Sequence, residues 1–245
     1  MTFLLAAILF VAFGVQATAG FGSVLLALAL GTLFWPIAEL LPIVLSLSLM
    51  LSSYIGIRYW RHAEVRMLVR SVLPLMGLGL AIGVVLAPHA SPRTLRLLLG
   101  IIVSAAAARG LYSLFTGNVV AAKHGGSSAY LWMVFAGVIH GLIATGGPAL
   151  VYAIEALGLG KRSFRSSLAF VWIILNGILV ARYVAAGEFA GPQLGRLAMM
   201  VPVVVASTLV GEILHSRVSE KVFRAVVFLL LAVAGMVLCV PLLLG

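Results

Sequence analysis

The chain has 245 residues, of which 63% are hydrophobic and 9% charged, and its mean hydropathy is +1.23. Soluble domains are nearer half apolar and a quarter charged. This composition therefore excludes a soluble enzyme, a nucleic-acid binder and a disordered chain, and it predicts an integral membrane protein. The net charge of +10 comes from 16 basic and 6 acidic residues. Most basic residues lie between apolar runs, as they do in membrane proteins with basic cytoplasmic loops.

Eight apolar segments follow one another along the chain: 3–35, 41–58, 71–88, 95–114, 130–157, 167–186, 197–214 and 222–243. Most have the length that crosses a hydrocarbon core of about 30 Å as one helix. The first and fifth segments are too long, since straight helices of their length would measure about 50 and 42 Å. Both are interrupted midway, by A-T-A-G-F-G at 17–22 and by A-T-G-G-P-A at 144–149. Such interruptions predict broken helices or re-entrant hairpins.

The N-terminal segment has a second interpretation. Ala17-Thr18-Ala19 resembles a signal-peptidase site, but no Lys or Arg precedes Arg58. A secretory signal needs a basic region before its apolar core. We therefore expect no cleavage here.

The two interruptions lie at corresponding places in two halves, 1–118 and 119–245, which are joined by a polar segment at 116–128. An offset of 127 residues aligns four pairs: Gly14 with Gly141, Ala17 with Ala144, Thr18 with Thr145 and Gly20 with Gly147. Three apolar segments follow each interruption. We therefore predict an internal repeat.

Basic residues distinguish between two topologies. If all eight segments cross the membrane, the basic residues divide eight against eight and give no orientation. If 130–157 is a hairpin, twelve fall on one side: Arg58, Arg61, Arg66, Arg70, Arg109, Lys123, Lys161, Arg162, Arg165, Arg217, Lys221 and Arg224. Four fall on the other side: Arg93, Arg96, Arg182 and Arg196. This bias is typical of membrane proteins, with the basic side in the cytoplasm.

Charge cannot decide whether 3–35 is a hairpin or a single broken crossing, because no basic residue precedes it. If it is a hairpin like its counterpart, each half has three crossings and the halves are inverted, with both termini outside the cytoplasm. The predicted fold is an all-α membrane protein of two inverted repeats, each a broken or re-entrant hairpin plus three transmembrane helices. Inverted repeats with broken helices are typical of secondary transporters.

Enzymatic chemistry has little support in the sequence. It contains no Walker A lysine motif, no H-E-x-x-H, no G-x-S-x-G and no Cys/His cluster, and its single cysteine is Cys239. We expect no cofactor and no metal, and we regard an enzyme as the weaker class.

The interruptions are the candidate binding site for an anion. A half-helix that begins inside the membrane presents free N–H groups and the positive end of its dipole, which bind small oxyanions. The candidates are Gln16, Thr18, Gly20, Phe21, Gly22 and Ser23 in the first half and His140, Thr145, Gly146, Gly147, Pro148 and Asn176 in the second. The alternative is that the glycines only permit close helix packing. Serines such as Ser48 and Ser52 fit a packing role better, since membrane Ser usually bonds to nearby backbone.

Ionisable residues at membrane depth are candidates for charge coupling. They are His140, Arg109, Glu155 and Glu212. His140 is the first choice because it lies closest to an interruption. The alternative is a neutral, packed histidine bonded to a neighbouring carbonyl.

Two stretches of the sequence resemble the twin motifs of the TauE/SafE family of bacterial sulfite and organosulfonate exporters. They are F-G-V-Q-A-T-A-G-F-G-S-V-L-L-A at 13–27 and G-V-I-H-G-L-I-A-T-G-G-P-A-L at 137–150. The turn K-R-S-F-R-S-S-L-A at 161–169 also looks familial. In this family the first motif often has a longer glycine run, so Phe21 is a departure that bears on substrate choice.

The resemblance implies a carrier in the bacterial cytoplasmic (inner) membrane. It implies export of small sulfur-containing anions such as sulfite or sulfoacetate, driven by an ion gradient, with a proton as the expected coupling ion. A homodimer is expected by analogy. Substrate, direction, coupling ion and oligomeric state remain open, as do the alternatives of a membrane enzyme, an assembly factor or a carrier for another anion.

Overall fold

The computed structural model describes residues 2–116, 127–155, 159–189, 192–217, 225, 228–229, 231–233 and 235–236. Its helices are α1 Thr2–Ala19, α2 Ser23–Gly31, α3 Ile37–Tyr59, α4 Val65–Met67, α5 Leu73–Leu86, α6 Pro92–Thr116, α7 Ser127–Ile143, α8 Gly147–Glu155, α9 Lys161–Ala185 and α10 Pro192–Arg217. A π-helical turn, Leu68–Val72, joins α4 to α5, and 3₁₀ turns follow α3 and α5. Most of the eighth segment predicted from the sequence, 222–243, lies outside the described residues.

The all-α membrane class is confirmed. Among the described residues, six helices are long and apolar enough to cross a membrane: Thr2–Ala19, Ile37–His62, Val65–His89, Pro92–Ser113, Arg162–Ala185 and Gln193–Ile213. Large apolar side chains face outward, for example Ile57 at 77% and Leu131 at 72% exposure. This is a multi-pass membrane protein.

Both interruptions end one helix and start another. The first break contains Gly20 and Gly22 with φ of 86° and 102°, a left-handed backbone that glycine adopts without steric cost. The second break contains Ala144 in the same region, with φ of 56°. We call residues 20–22 the first tip and residues 144–146 the second tip.

The second tip reverses the chain. The rings of Trp132 in α7 and Tyr152 in α8 lie 4.9 Å apart, and a Cβ on Gly146 would collide with the carbonyl oxygen of Ala136. Helix α8 therefore folds back along α7, and the described part of this segment, residues 130–155, is a hairpin. Around the first tip, Ser23 likewise returns to donate a hydrogen bond to Gln16.

Small residues bring two helix pairs into close contact. Helices α1 and α10 run parallel, since Ser207 donates to the carbonyl of Phe10 and Thr18 donates to that of Gly211. Helices α5 and α7 also run parallel. The two helices touch each other at glycines: a Cβ on Gly137 or Gly141 of α7 would collide with a carbonyl oxygen of α5. Such close approach is typical of membrane helices.

Helices α3 and α9 run antiparallel at the centre. Ser166 near the start of α9 donates to the carbonyl of Tyr59 at the end of α3, and Asn176 further along donates to Ser48. Short connections reverse the chain after α3 and after α9. It follows that α1, α3 and α5 each run opposite to their counterparts α7, α9 and α10. These directions favour the inverted repeat, which stays a prediction.

Candidate functional site

The two tips meet at a cavity beside the middle of α3 and α9. Its lining contains Gln16, Phe21, Gly22, Ser23, Val24, Leu25, Ser48, His140, Ala144, Thr145, Gly147, Pro148, Trp172 and Asn176. The space open to the centre of a water molecule is about 20 Å³, which is enough for about one water. Gly147, the first residue of α8, faces Phe21 of the first tip, since a Cβ added to Gly147 would lie 3.5 Å from Cδ2 of Phe21.

Nine of the twelve predicted binding residues line this cavity: Gln16, Phe21, Gly22, Ser23, His140, Thr145, Gly147, Pro148 and Asn176. The other three lie beside it. The Thr18 hydroxyl donates to the carbonyls of Gly14 and Gly211, at 2.8 and 3.1 Å. Gly146 packs against α7, and Gly20 packs against Arg165.

Two short helices begin at the cavity. The first-turn N–H groups of α2, from Ser23 onward, have no partner within their helix, and neither do those of Gly147 and Ala149 in α8. Pro148 has no N–H group and suits the start of a helix. Two positive helix ends thus converge from opposite halves of the chain, an arrangement that favours a bound anion.

A buried hydrogen-bond network connects the first tip to both central helices. The Gln16 amide donates to Ser52 Oγ at 2.9 Å, and its oxygen accepts from Ser23 and from Ser48, the latter at 3.1 Å. Asn176 Nδ2 donates to Ser48 Oγ at 3.1 Å. This network fixes Gln16 and Asn176 at the wall of the cavity.

Several polar atoms of the cavity wall are buried without a hydrogen-bond partner among the described residues. They are both ring nitrogens of His140, Oγ1 of Thr145 and Oδ1 of Asn176, in side chains that are 1%, 2% and 1% exposed. Buried polar groups normally form hydrogen bonds, because each unpaired one costs about 1–3 kcal/mol. Unpaired groups on one cavity indicate a binding site for a polar ligand.

Three residues of the site were not predicted from the sequence. Trp172 stacks on His140, with ring centroids 5.4 Å apart, and its Nε1 donates to the Gly20 carbonyl at 3.0 Å. Ser48, which we assigned to packing, forms hydrogen bonds with Gln16 of the first half and Asn176 of the second. Arg165 is 6% exposed and lies under the first tip. Arg165 could have been predicted from its position in the K-R-S-F-R turn, which we singled out in the sequence.

Two of the remaining candidates for charge coupling, Arg109 and Glu212, lie away from the cavity. Arg109 places its guanidinium 3.9 Å from the ring centre of Tyr152. Glu212 pairs with Arg165 at 3.3 Å. The side chain of Glu155 lies outside the described residues. Among the described residues, His140 is thus the titratable group on the cavity wall.

The described residues contain no group of three or more His, Cys, Asp or Glu that could hold a metal ion. The family model described as "Sulfite exporter TauE/SafE" matches residues 4–238 of the chain. No curated protein and no solved structure matches it.

Proposed function

The chain belongs to the TauE/SafE sulfite exporter family, and we propose that it exports small sulfur-containing anions as a secondary transporter. The proposed substrates are sulfite, sulfoacetate or related organosulfonates. The proposed location is the bacterial cytoplasmic (inner) membrane, with the anion held between the two tips.

One observation carries this proposal. Two helix N-termini, one from each half of the chain, converge on one cavity with the unpaired polar atoms of His140, Thr145 and Asn176. The N–H groups of Ser23, Gly147 and Ala149 supply donors, and no Asp or Glu is among the described residues that line the cavity. A sulfur oxyanion accepts hydrogen bonds and donates few, so it suits a site of this kind.

The size of the cavity fits a carrier rather than a channel. The space holds about one water, which is less than a sulfur oxyanion needs. An anion therefore enters only when the tips move apart. Relative movement of two repeats around one central site is the usual mechanism of secondary transporters.

Counterflow in liposomes tests the proposal. Purified protein is reconstituted into vesicles loaded with unlabelled sulfite, and uptake of radiolabelled sulfite is followed with sulfate, sulfoacetate and acetate as competitors. We expect transient accumulation of unchanged label, inhibited by sulfoacetate more strongly than by acetate. Equal inhibition by all three would assign a different anion, and conversion of the label to a new product would instead support a membrane enzyme.

A further inference from the structure

A partly buried ion pair, Arg165 with Glu212, lies beneath the first tip. Arg165 Nη2 lies 3.3 Å from Glu212 Oε1, and the two side chains are 7% and 22% exposed. The same carboxylate accepts hydrogen bonds from Tyr59 at 3.3 Å and Tyr54 at 3.4 Å. The guanidinium carbon of Arg165 lies 5.1 Å from the centre of the Tyr59 ring, and the buried Nε donor has no hydrogen-bond acceptor among the described residues.

This ion pair lies directly behind the tip. A Cβ on Gly20 would lie 3.1 Å from both Cα and Cγ of Arg165, while the Gly20 carbonyl accepts from Trp172, which lines the cavity. Gly20 thus separates Arg165 from the cavity by the thickness of one backbone segment. Movement of the tip would connect the two.

The charge around Arg165 is unfavourable for the helix that carries it. Lys161, Arg162 and Arg165 all lie in the first five residues of α9, where the positive end of the helix dipole repels cations. Glu212 pairs with one of the three. An anion arriving from solution would be attracted to this end of the molecule, and a guanidinium binds oxyanions with two parallel hydrogen bonds.

We propose that Arg165 is the entrance site for the substrate anion, and that the Glu212 carboxylate occupies it until the anion arrives. The inference rests on the proposed function and adds a second, earlier anion site to it. The incoming oxyanion takes the place of one carboxylate oxygen on Arg165. Glu212 keeps its hydrogen bonds from the two tyrosines, and displacement of Gly20 then opens the way to the cavity.

Charge-selective thiol labelling tests this proposal without any substrate. Val24, on the cavity wall, is replaced by Cys in a Cys239→Ser background. Inside-out vesicles are then treated with an anionic or a cationic methanethiosulfonate reagent of similar size. Glu212→Gln leaves Arg165 unneutralised, so we expect the ratio of anionic to cationic labelling rates to rise about tenfold or more. Arg165→Gln leaves Glu212 unneutralised, so we expect the ratio to fall.

A second ion pair, far from Arg165, supplies a matched control. Glu39 and Arg196 form an ion pair of 3.1 Å at the opposite ends of α3 and α10, so Glu39→Gln should leave the ratio unchanged. Arg165→Lys keeps the charge, and combined with Glu212→Gln it should keep the anionic preference. Should Arg165→Gln fail to fold, the Glu212→Gln and Arg165→Lys results decide the question alone.

The outcomes separate this inference from the proposed function. If Glu212→Gln increases the labelling rates of both reagents equally, the ion pair only holds the helices together and does not select anions. An unchanged ratio of labelling rates would exclude an entrance at Arg165. Either result overturns the inference. Absence of sulfite counterflow by the wild type, with the expected labelling ratios, would overturn the proposed substrate and leave an anion entrance in place.

Discussion

Thr145 offers a test at the level of a single residue. Its hydroxyl is buried on the cavity wall without a hydrogen-bond partner, so Thr145→Val removes an unsatisfied polar group and keeps the shape. We expect a gain of about 1 kcal/mol in stability, or about 2–4 °C in Tm, together with a raised KM for sulfite. Thermal unfolding in detergent and counterflow kinetics measure the two effects.

Thr208 provides the control for this variant. Its hydroxyl donates to the Val204 carbonyl within α10, away from the cavity lining. Thr208→Val should leave the KM for sulfite unchanged. If Thr145→Val also transports with wild-type KM, the hydroxyl is not part of an anion site.

His140 is the residue through which a proton would be coupled to the anion. Approach of an anion favours the imidazolium form, so the KM for sulfoacetate, which unlike sulfite does not itself titrate near neutrality, should rise as pH rises. His140→Gln keeps a polar side chain and should abolish this pH dependence. Counterflow at a series of pH values measures it. If His140→Gln keeps the wild-type pH profile, His140 is not the coupling group, and Glu155 and Glu212 are the remaining candidates.

At the level of elements, the packing of α5 against α7 depends on the absence of side chains. A Cβ on Gly79 would collide with the carbonyl oxygen of Val134, whereas one on Gly77 would meet nothing within 4 Å. Gly79→Val should therefore cost at least about 1–3 kcal/mol and reduce the yield of monodisperse protein. Gly77→Val on the same helix should not. Size-exclusion profiles in detergent compare them, and equal profiles would contradict the packing described.

The helices and their two breaks could be predicted from the sequence because each has a local cause. Apolar length sets the crossings, and glycines mark the first tip because Gly20 and Gly22 adopt positive φ. The tip residues could be assigned because glycine and small polar residues stand at matching places in both halves. Ala144, in the left-handed region without being glycine, has no such local signal.

The contacts of the site could not be predicted in the same way. Trp172 bonds to a carbonyl 152 positions away, and Asn176 bonds to a serine 128 positions away. Such pairs depend on how α3, α9 and the tips pack, which local periodicity does not encode. For the same reason Thr18, a reasonable candidate by sequence, turns its hydroxyl to α10 instead.

At the level of the whole molecule, the helix directions and the basic residues lead to one topology. Residues 58–70, 116–128, 158–166 and 215–221 are expected to be cytoplasmic, with Met1 and Gly245 outside, although 117–126, 156–158 and 218–224 lie outside the described residues. Single cysteines at these places, probed with an impermeant thiol reagent on intact cells, measure the orientation. Labelling of 158–166 from outside would contradict the second hairpin, and a cytoplasmic N-terminus would contradict the first.

The central claim is that one anion site lies between the two tips, and counterflow by Gly147→Val tests it most directly. A Cβ at Gly147 points at Phe21 and Trp172 in the cavity at ordinary contact distances of 3.5 and 3.8 Å, whereas one at Gly177 meets nothing within 4 Å. Gly20→Val is a poorer probe, since its positive φ and its contact with Arg165 would strain the fold. We predict that Gly147→Val inserts and remains monodisperse but shows no sulfite counterflow, while Gly177→Val transports like the wild type. Wild-type counterflow by a well-folded Gly147→Val protein would contradict the account.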